Sequence, residues 1–191
     1  MATKEFILEN AVKLFAAKGF EGVGVQEICT ASDITKPTLY YYFSSKNGLL
    51  EAIIDVYGNA FFSQLEIATE YTHDFIGSLS KILDSMINFA RNNPDFFRLH
   101  CALENASTES EGGKIYRPFS QKIESRFAEF FENSTAEIGN MRGKERIFSR
   151  IFLKICISTA ADYSENENAA RDYTEDKNSI IHAFAYGVVN G

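Results

Sequence analysis

The sequence predicts an all-α fold of about nine helices. Apolar residues recur at steps of three and four along most of the chain, and breaks rich in glycine, proline and asparagine separate these stretches, whereas sustained alternation with a period of two is missing. The chain has 191 residues, of which 45% are hydrophobic and 24% are charged, as is typical of globular proteins. Because no apolar run approaches the roughly 18 residues of a membrane span and no secretory signal opens the chain, the sequence predicts a cytoplasmic protein without a membrane partner.

Capping residues predict where the first helices begin and end. Thr3 is of the type that caps a helix N-terminus, and Gly19 is of the type that ends a helix. Between them, four apolar residues share one helical face: Ile7, Ala11, Leu14 and Phe15. The same signals predict one helix after an N-cap at Asp74 and the next from Pro94.

In the second half of the chain, apolar helical stripes alternate with polar breaks. Residues 107–113, with the sequence STESEGG, are predicted to form a loop, and a helix is predicted to begin near Lys114. Two further helices are predicted over residues 144–163 and 174–189, the second of them capped by Thr174.

Residues 24–46, GVQEICTASDITKPTLYYYFSSK, fit two short helices joined by a tight turn. Ile28 and Leu39 fall where a helix-turn-helix needs apolar core residues. Asp33 falls in the turn, where glycine is usual. Aspartate adopts the left-handed conformation more readily than most residues, so the turn is compatible with this sequence.

The second of these helices has the features of a helix that reads DNA. Thr35 is placed to cap it, and Lys36, Pro37 and Thr38 form the first turn, which enters the major groove in helix-turn-helix proteins. Lysine donates to guanine edges, and the proline ring and threonine methyl pack on thymine methyl groups. Three tyrosines follow: Tyr40, Tyr41 and Tyr42. Since they span about 200° of the helix, at least one hydroxyl points outward, where it suits a phosphate oxygen.

Two readings of residues 24–46 stay open on this pattern alone. Short matches to the motif occur by chance, so a plain helical corner with surface tyrosines is the alternative. The net charge is −7, but residues 1–48 hold five lysines and five acidic residues, so the excess negative charge lies after them. This acidity argues against nonspecific binding of nucleic acid by the whole surface and allows a local contact from the N-terminal part.

Neither an enzyme nor a metal or cofactor site is predicted. The three cysteines, Cys29, Cys101 and Cys156, are far apart and form no CxxC pair, which argues against a disulfide framework or a zinc site. Nucleophile motifs and glycine-rich phosphate loops are missing from the sequence. His100 and Glu104 lie four residues apart, and a local polar contact on one helical face explains them more simply than a metal site.

Residues 5–50 resemble the N-terminal domain of the TetR family of transcriptional regulators. The resemblance rests on three ordered motifs: A-x-x-L-F-x-x-x-G-F from Ala11, TKPTLYYYF from Thr35, and K-x-x-L from Lys46. It implies a three-helix DNA-binding domain over residues 1–46, followed by a helical bundle over residues 47–191 that binds an effector and dimerises. In the family, the fourth helix links the two parts.

By matching positions, the resemblance implies DNA contacts on the second helix, along the recognition helix and at the start of the fourth helix. These residues are Gln26, Thr35, Lys36, Pro37, Thr38, Tyr40, Tyr41, Tyr42 and Lys46. The sequence departs from the family pattern at Gly24, where a serine or threonine usually caps the second helix. Losing such a cap costs about 1 kcal/mol in general, but only a few tenths when glycine replaces it.

The resemblance also implies an effector pocket and a dimer surface in the second domain. Thirteen of the seventeen phenylalanines follow residue 46, and effector pockets are typically apolar with a few polar groups. The candidate pocket residues are Phe89, Phe97, His100, Tyr116 and Phe119. The simpler reading is that these side chains are core. The last two helices are the candidate dimer surface.

Taken together, these features predict a homodimeric, sequence-specific DNA-binding regulator. In the family, such a protein is most often a repressor, which a small apolar or amphipathic effector releases from a palindromic operator of double-stranded DNA. Two recognition helices are needed to bind half-sites about 34–36 Å apart, so a dimer is expected. The alternative is a helical small-molecule-binding or adaptor protein without DNA binding.

Overall fold

The computed structural model describes residues 3–135, 138, 141–165 and 173–189, without the side chains of 165 and 187–189. In this part of the chain all regular elements are helices, and they number nine, which confirms the predicted fold class. The helices are α1 (Lys4–Lys18), α2 (Val25–Ala31), α3 (Lys36–Phe43), α4 (Lys46–Ile53, a π-helical stretch Ile54–Gly58, and Asn59–Ala68), α5 (Phe75–Asn92), α6 (Pro94–Glu104), α7 (Glu111–Ser134), α8 (Glu145–Glu165) and α9 (Tyr173–Val189).

Several predicted caps form. The Thr3 hydroxyl accepts the N–H of Phe6 at 3.3 Å, and the Asp74 carboxylate accepts the N–H of Gly77 at 2.9 Å. Gly19 ends α1 with a φ of 75°, a left-handed value that favours glycine. These contacts satisfy N–H groups that a helix leaves without an intrahelical partner.

Helix α7 begins at Glu111, inside the stretch that the sequence predicts as a loop. Two side chains supply the reason. The Ser110 hydroxyl accepts the N–H of Gly113 at 3.1 Å, and the Glu21 carboxylate accepts the N–H of Gly112 at 3.0 Å. These contacts satisfy the first turn of the helix despite its two glycines.

The starts of the other predicted helices lie close to their expected places. Pro94 opens α6, as predicted, and α8 begins at Glu145, one residue later than predicted. Thr174 is not the residue before the first helical position, because α9 already includes Tyr173. Such shifts are common, since helix ends depend on local capping that sequence patterns specify only loosely.

The chain divides into two compact units, residues 1–60 with 93–120, and residues 61–92 with 121–191. In the first unit, α1 packs against α2, α6 and the first part of α4. In the second unit, α5 packs against α8 and α9. The division into functional domains at residue 46, which the resemblance implies, stays a prediction.

A polar cluster ties α9 to α5 within the second unit. The Tyr173 hydroxyl donates to Asp84, and the Lys177 ammonium donates to the same carboxylate at 3.0 Å. The Arg91 guanidinium lies 5.5 Å from the centre of the Tyr173 ring. Burial, followed by the hydrogen bond to Asp84, raises the pKa of Tyr173 above its ordinary value, so this tyrosine stays a neutral donor.

The three thiols differ in exposure and are expected to differ in reactivity. Cys29 and Cys156 are buried, whereas Cys101 is half-exposed. Burial raises the pKa of the Cys156 thiol well above its ordinary value, and burial also raises the pKa of Cys29. Because the thiolate is the reactive form, both buried thiols carry less of it at any pH near neutrality.

We therefore expect Ellman's reagent to modify Cys101 first in the folded protein at mildly alkaline pH. A Cys101→Ser variant should lose this fast phase, and the remaining two thiols should react only after denaturant is added. Absorbance measurement of the released thiolate checks the prediction. A fast phase that persists in the Cys101→Ser variant would contradict it.

Candidate nucleic-acid interface

The turn between α2 and α3 forms as the spacing predicts. Asp33 has a φ of 51°, in the left-handed region, and the N–H of Ile34 donates to the carbonyl of Cys29 at 3.0 Å. Ile28 and Leu39 are fully buried. Aspartate therefore takes the place that glycine usually has in this turn, and the two helices still share an apolar core.

The start of α3 is capped and open to solvent. The Thr35 hydroxyl accepts the N–H of Thr38 at 3.4 Å and lies 2.9 Å from the Thr38 hydroxyl. Lys36 and Pro37 are exposed in the first turn. The cap thus fixes the Thr38 hydroxyl at the end of the helix where free N–H groups produce a partial positive charge.

All three adjacent tyrosines of α3 reach solvent. Tyr40, Tyr41 and Tyr42 are 46%, 84% and 37% exposed, and the last two rings pack edge to face with centres 5.3 Å apart. On the opposite side of the helix, Leu39 and Phe43 are buried. The apolar pair anchors α3 from behind and leaves three hydroxyls outside the core.

Gln26 on α2 is also exposed, so α2 adds a polar side chain near the start of the helix-turn-helix. The N-terminus of α2 lacks a side-chain cap, because Gly24 precedes it. The nearby Lys18 ammonium is bound to Glu27. This ion pair neutralises one of the five lysines of residues 1–48, while Lys36 stays exposed to solvent.

Lys46, at the start of α4, is half-buried, and its ammonium binds backbone carbonyl groups of the chain before α2. Its Nζ lies 3.0 Å from the carbonyl oxygen of Phe20 and 3.2 Å from that of Val23. The same ammonium lies 4.3 Å from the centre of the Phe20 ring. The contact with DNA phosphate that the resemblance implies for Lys46 stays a prediction.

Four of the five candidate effector residues lie together in the first unit. The rings of Phe97 and His100 are 5.3 Å apart, those of His100 and Tyr116 are 5.8 Å apart, and those of Tyr116 and Phe119 are 5.5 Å apart. His100 Nδ1 and the Tyr116 hydroxyl form a buried hydrogen bond. Burial raises the pKa of Tyr116 well above its ordinary value. Phe89 belongs to the second unit.

Neither a cluster of metal ligands nor a membrane-spanning helix is present in the described part of the chain. Within residues 3–135, 138, 141–165 and 173–189, no three histidine, cysteine or acidic side chains are grouped as a metal ion would need. Over the same residues, none of the helices combines the length and the hydropathy that crossing a lipid bilayer requires.

Residues 7–53 match the family model for bacterial regulatory proteins of the tetR family. A curated relative, the probable HTH-type transcriptional regulator YttP of Bacillus subtilis, is 30% identical over 103 residues. The N-terminal quarter of the chain is therefore similar to the TetR family. The alignment with YttP covers 51% of this chain and 48% of YttP, so the chain spans about half the length of that relative.

Further comparisons extend the likeness to transcriptional regulators over most of the chain. IcaR of Staphylococcus aureus strain Newman, a negative transcriptional regulator of the biofilm operon icaADBC, is 27% identical over 69% of this chain and 70% of its own length. The crystal structure of FadR from Bacillus subtilis with stearoyl-CoA superimposes with a TM-score of 0.67 at 13% identity. It covers 99% of both chains, which shows the shared fold.

Sequence reasoning missed the partners of the α1–α2 turn. The turn is residues 19–24, which connect the first two helices. Lys46 holds two of its carbonyl groups, and the carboxylate of Glu21 caps α7. These partners lie 23, 26 and 91 positions apart along the chain, where helical periodicity carries no signal.

Proposed function

We propose that this protein is a dimeric DNA-binding repressor of the TetR type, which a small apolar or amphipathic effector releases from a palindromic operator. One observation supports the proposal: the exposed side chains of α3 are of types that suit DNA, while Leu39 and Phe43 on the other side of the helix are buried. A helix of this kind enters the major groove with its first turn leading. The protein acts by binding and conformational change, without catalysis.

The exposed groups divide by the part of DNA that each one suits. Lys36, Pro37 and Thr38 lie in the first turn, where their donors and methyl groups meet base edges. Thr35 and the three tyrosines carry hydroxyls that donate to phosphate oxygens, and Gln26 adds an amide from α2. The N–H groups at the start of α3 suit a phosphate as well.

A second copy is proposed to pack against α8. Ile147 and Ile151 on this helix are 60% and 46% exposed, and they line an open groove of about 720 Å³ together with Ile155. Exposed apolar side chains that lie side by side are typical of an interface. Lys154 and Glu124 line the same groove and supply charges of both signs for a self-complementary contact.

The effector is proposed to bind beside the aromatic rings of the first unit. His100 and Tyr116 form a buried polar pair between the rings of Phe97 and Phe119, and a ligand with one polar end requires such groups. FadR, which has the same fold, was solved with stearoyl-CoA, an amphipathic molecule. An effector of this class would release DNA to the extent that it binds the DNA-free conformer more tightly.

The direct test is selection of duplexes from a random pool by the purified full chain, followed by fluorescence anisotropy on the selected sequence. We expect a palindromic duplex bound by two protomers, at least about 10³-fold more tightly than a scrambled duplex. Sedimentation of the complex gives the stoichiometry. Failure to enrich any sequence at moderate salt would contradict the proposed function.

A further inference from the structure

The half-buried Lys46 side chain directs its ammonium to two carbonyl groups and one ring. Its distances to the carbonyl oxygens of Phe20 and Val23 are those of hydrogen bonds, and the Phe20 ring lies beneath the same charge. Hydrogen bonds from a charged donor are stronger than those between neutral groups. An ammonium with these partners would have to leave them, at least in part, in order to reach a phosphate.

We propose that Lys46 is a positioning residue, which fixes the α1–α2 turn for DNA reading without itself contacting DNA phosphate. The inference rests on the proposed function, because it concerns how that function depends on one residue. It replaces the role that the resemblance implies for Lys46.

The α1–α2 turn is a segment that needs external support. It contains three glycines, Gly19, Gly22 and Gly24, and glycine loses more conformational freedom on folding than any other residue. Helix α2 follows the turn directly and has no side-chain cap. Lys46, on α4, therefore stabilises the conformation of the turn, which the turn's own side chains do not fix.

A second contact holds the same turn from α7. The Glu21 carboxylate accepts the N–H of Gly112, and Gly112 lies against Phe20 and Leu103 so closely that an added Cβ would come within 3.0–3.1 Å of both side chains. Lys46 thus binds two carbonyl groups of the turn. Helix α7 binds the carboxylate of Glu21, which is the only acidic side chain of the turn. The placement of α2, and with it Gln26, depends on these contacts.

Positioning and phosphate contact predict different losses. A phosphate contact contributes to the binding of every duplex, and removing it lowers the slope of log affinity against log salt by about 0.9. A positioning residue instead affects only the selected duplex, because only there must protein side chains align with particular base edges. Its removal therefore lowers specificity and leaves the salt slope unchanged.

The experiment compares Lys46→Gln with Lys36→Gln, a matched change at an exposed lysine of the recognition helix. Anisotropy is measured on the selected and the scrambled duplex over a range of salt concentrations. For Lys46→Gln we expect roughly tenfold weaker binding of the selected duplex, comparable to one lost base contact, with the scrambled duplex and the salt slope unchanged. Lys36→Gln removes a charge that is proposed to enter the groove, so it should reduce the slope as well as relax specificity at one base pair. Lys46→Arg should restore specificity, since a guanidinium also donates to carbonyl groups.

Two results would overturn the proposal: a slope lowered by about 0.9 with equal loss on both duplexes, or wild-type binding of both duplexes by Lys46→Gln. If circular dichroism shows that this variant does not fold, NMR of the ¹⁵N-labelled lysine ammonium groups of the wild type distinguishes positioning from phosphate contact. We expect slow hydrogen exchange at Lys46 Nζ in the free protein and no shift on DNA addition. Fast exchange, or a large shift with DNA, would count against positioning. The free-protein spectrum is informative even if no operator is found.

Discussion

Replacing Lys36 and Tyr41 together by alanine is expected to weaken binding of the selected duplex by at least about 30-fold. Each side chain is proposed to make one contact with DNA, and losing a good contact costs about 1–3 kcal/mol, which is about fivefold or more. Tyr41 is 84% exposed and its described ring contact is with Tyr42, while Lys36 is exposed. Their removal leaves no cavity, so the free energy of unfolding should stay within about 0.5 kcal/mol of the wild type.

The two single variants separate base reading from phosphate contact. Lys36→Ala should lower affinity and relax specificity at one base pair, whereas Tyr41→Phe should weaken all duplexes about equally, because it removes only a phosphate-directed hydroxyl. Lys81→Ala, at an exposed position on α5, is the matched control and should bind as the wild type. A double variant with undiminished affinity would support the alternative of an adaptor that does not use this surface.

Local features of the interface could be predicted from the sequence because the interactions that create them are local. The Thr35 cap, the left-handed Asp33 and the exposed tyrosines involve residues within four positions of each other. Capping and helical periodicity act over this range. The start of α6 at Pro94 follows from the fixed φ of proline in the same way.

Contacts between distant segments could not be predicted in this way. The carbonyl partners of Lys46 and the capping of α7 by Glu21 join residues that no sequence pattern relates. The effector candidates illustrate the same limit. Helical spacing indicates that Phe89 and Phe97 face a core, but it does not indicate that they belong to different units. An apolar stripe indicates which face of a helix is buried. The element that packs against that face depends on the whole fold.

The largest effect on stability is expected from Phe131→Ala in the second unit. Phe131 is fully buried, and its ring contacts four other phenylalanine rings with centres 5.3–6.1 Å away: Phe75, Phe130, Phe152 and Phe184. Truncating a buried phenylalanine costs about 3–5 kcal/mol, because apolar surface is lost and a cavity remains. The four edge-on or tilted ring pairs add to that loss.

Urea unfolding followed by circular dichroism measures this cost. Domains are typically stable by only about 5–15 kcal/mol, so Phe131→Ala should lower the midpoint strongly while the slope with denaturant stays the same. Phe6→Ala provides the matched control, because Phe6 is 45% exposed on α1, and it should cost less than about 1 kcal/mol. A cost at position 131 no greater than at position 6 would mean that the five rings do not share one close-packed core. These rings come from α5, α7, α8 and α9, so the packing of that unit would then have to rest on its buried aliphatic side chains, such as Leu79, Ile82 and Leu83.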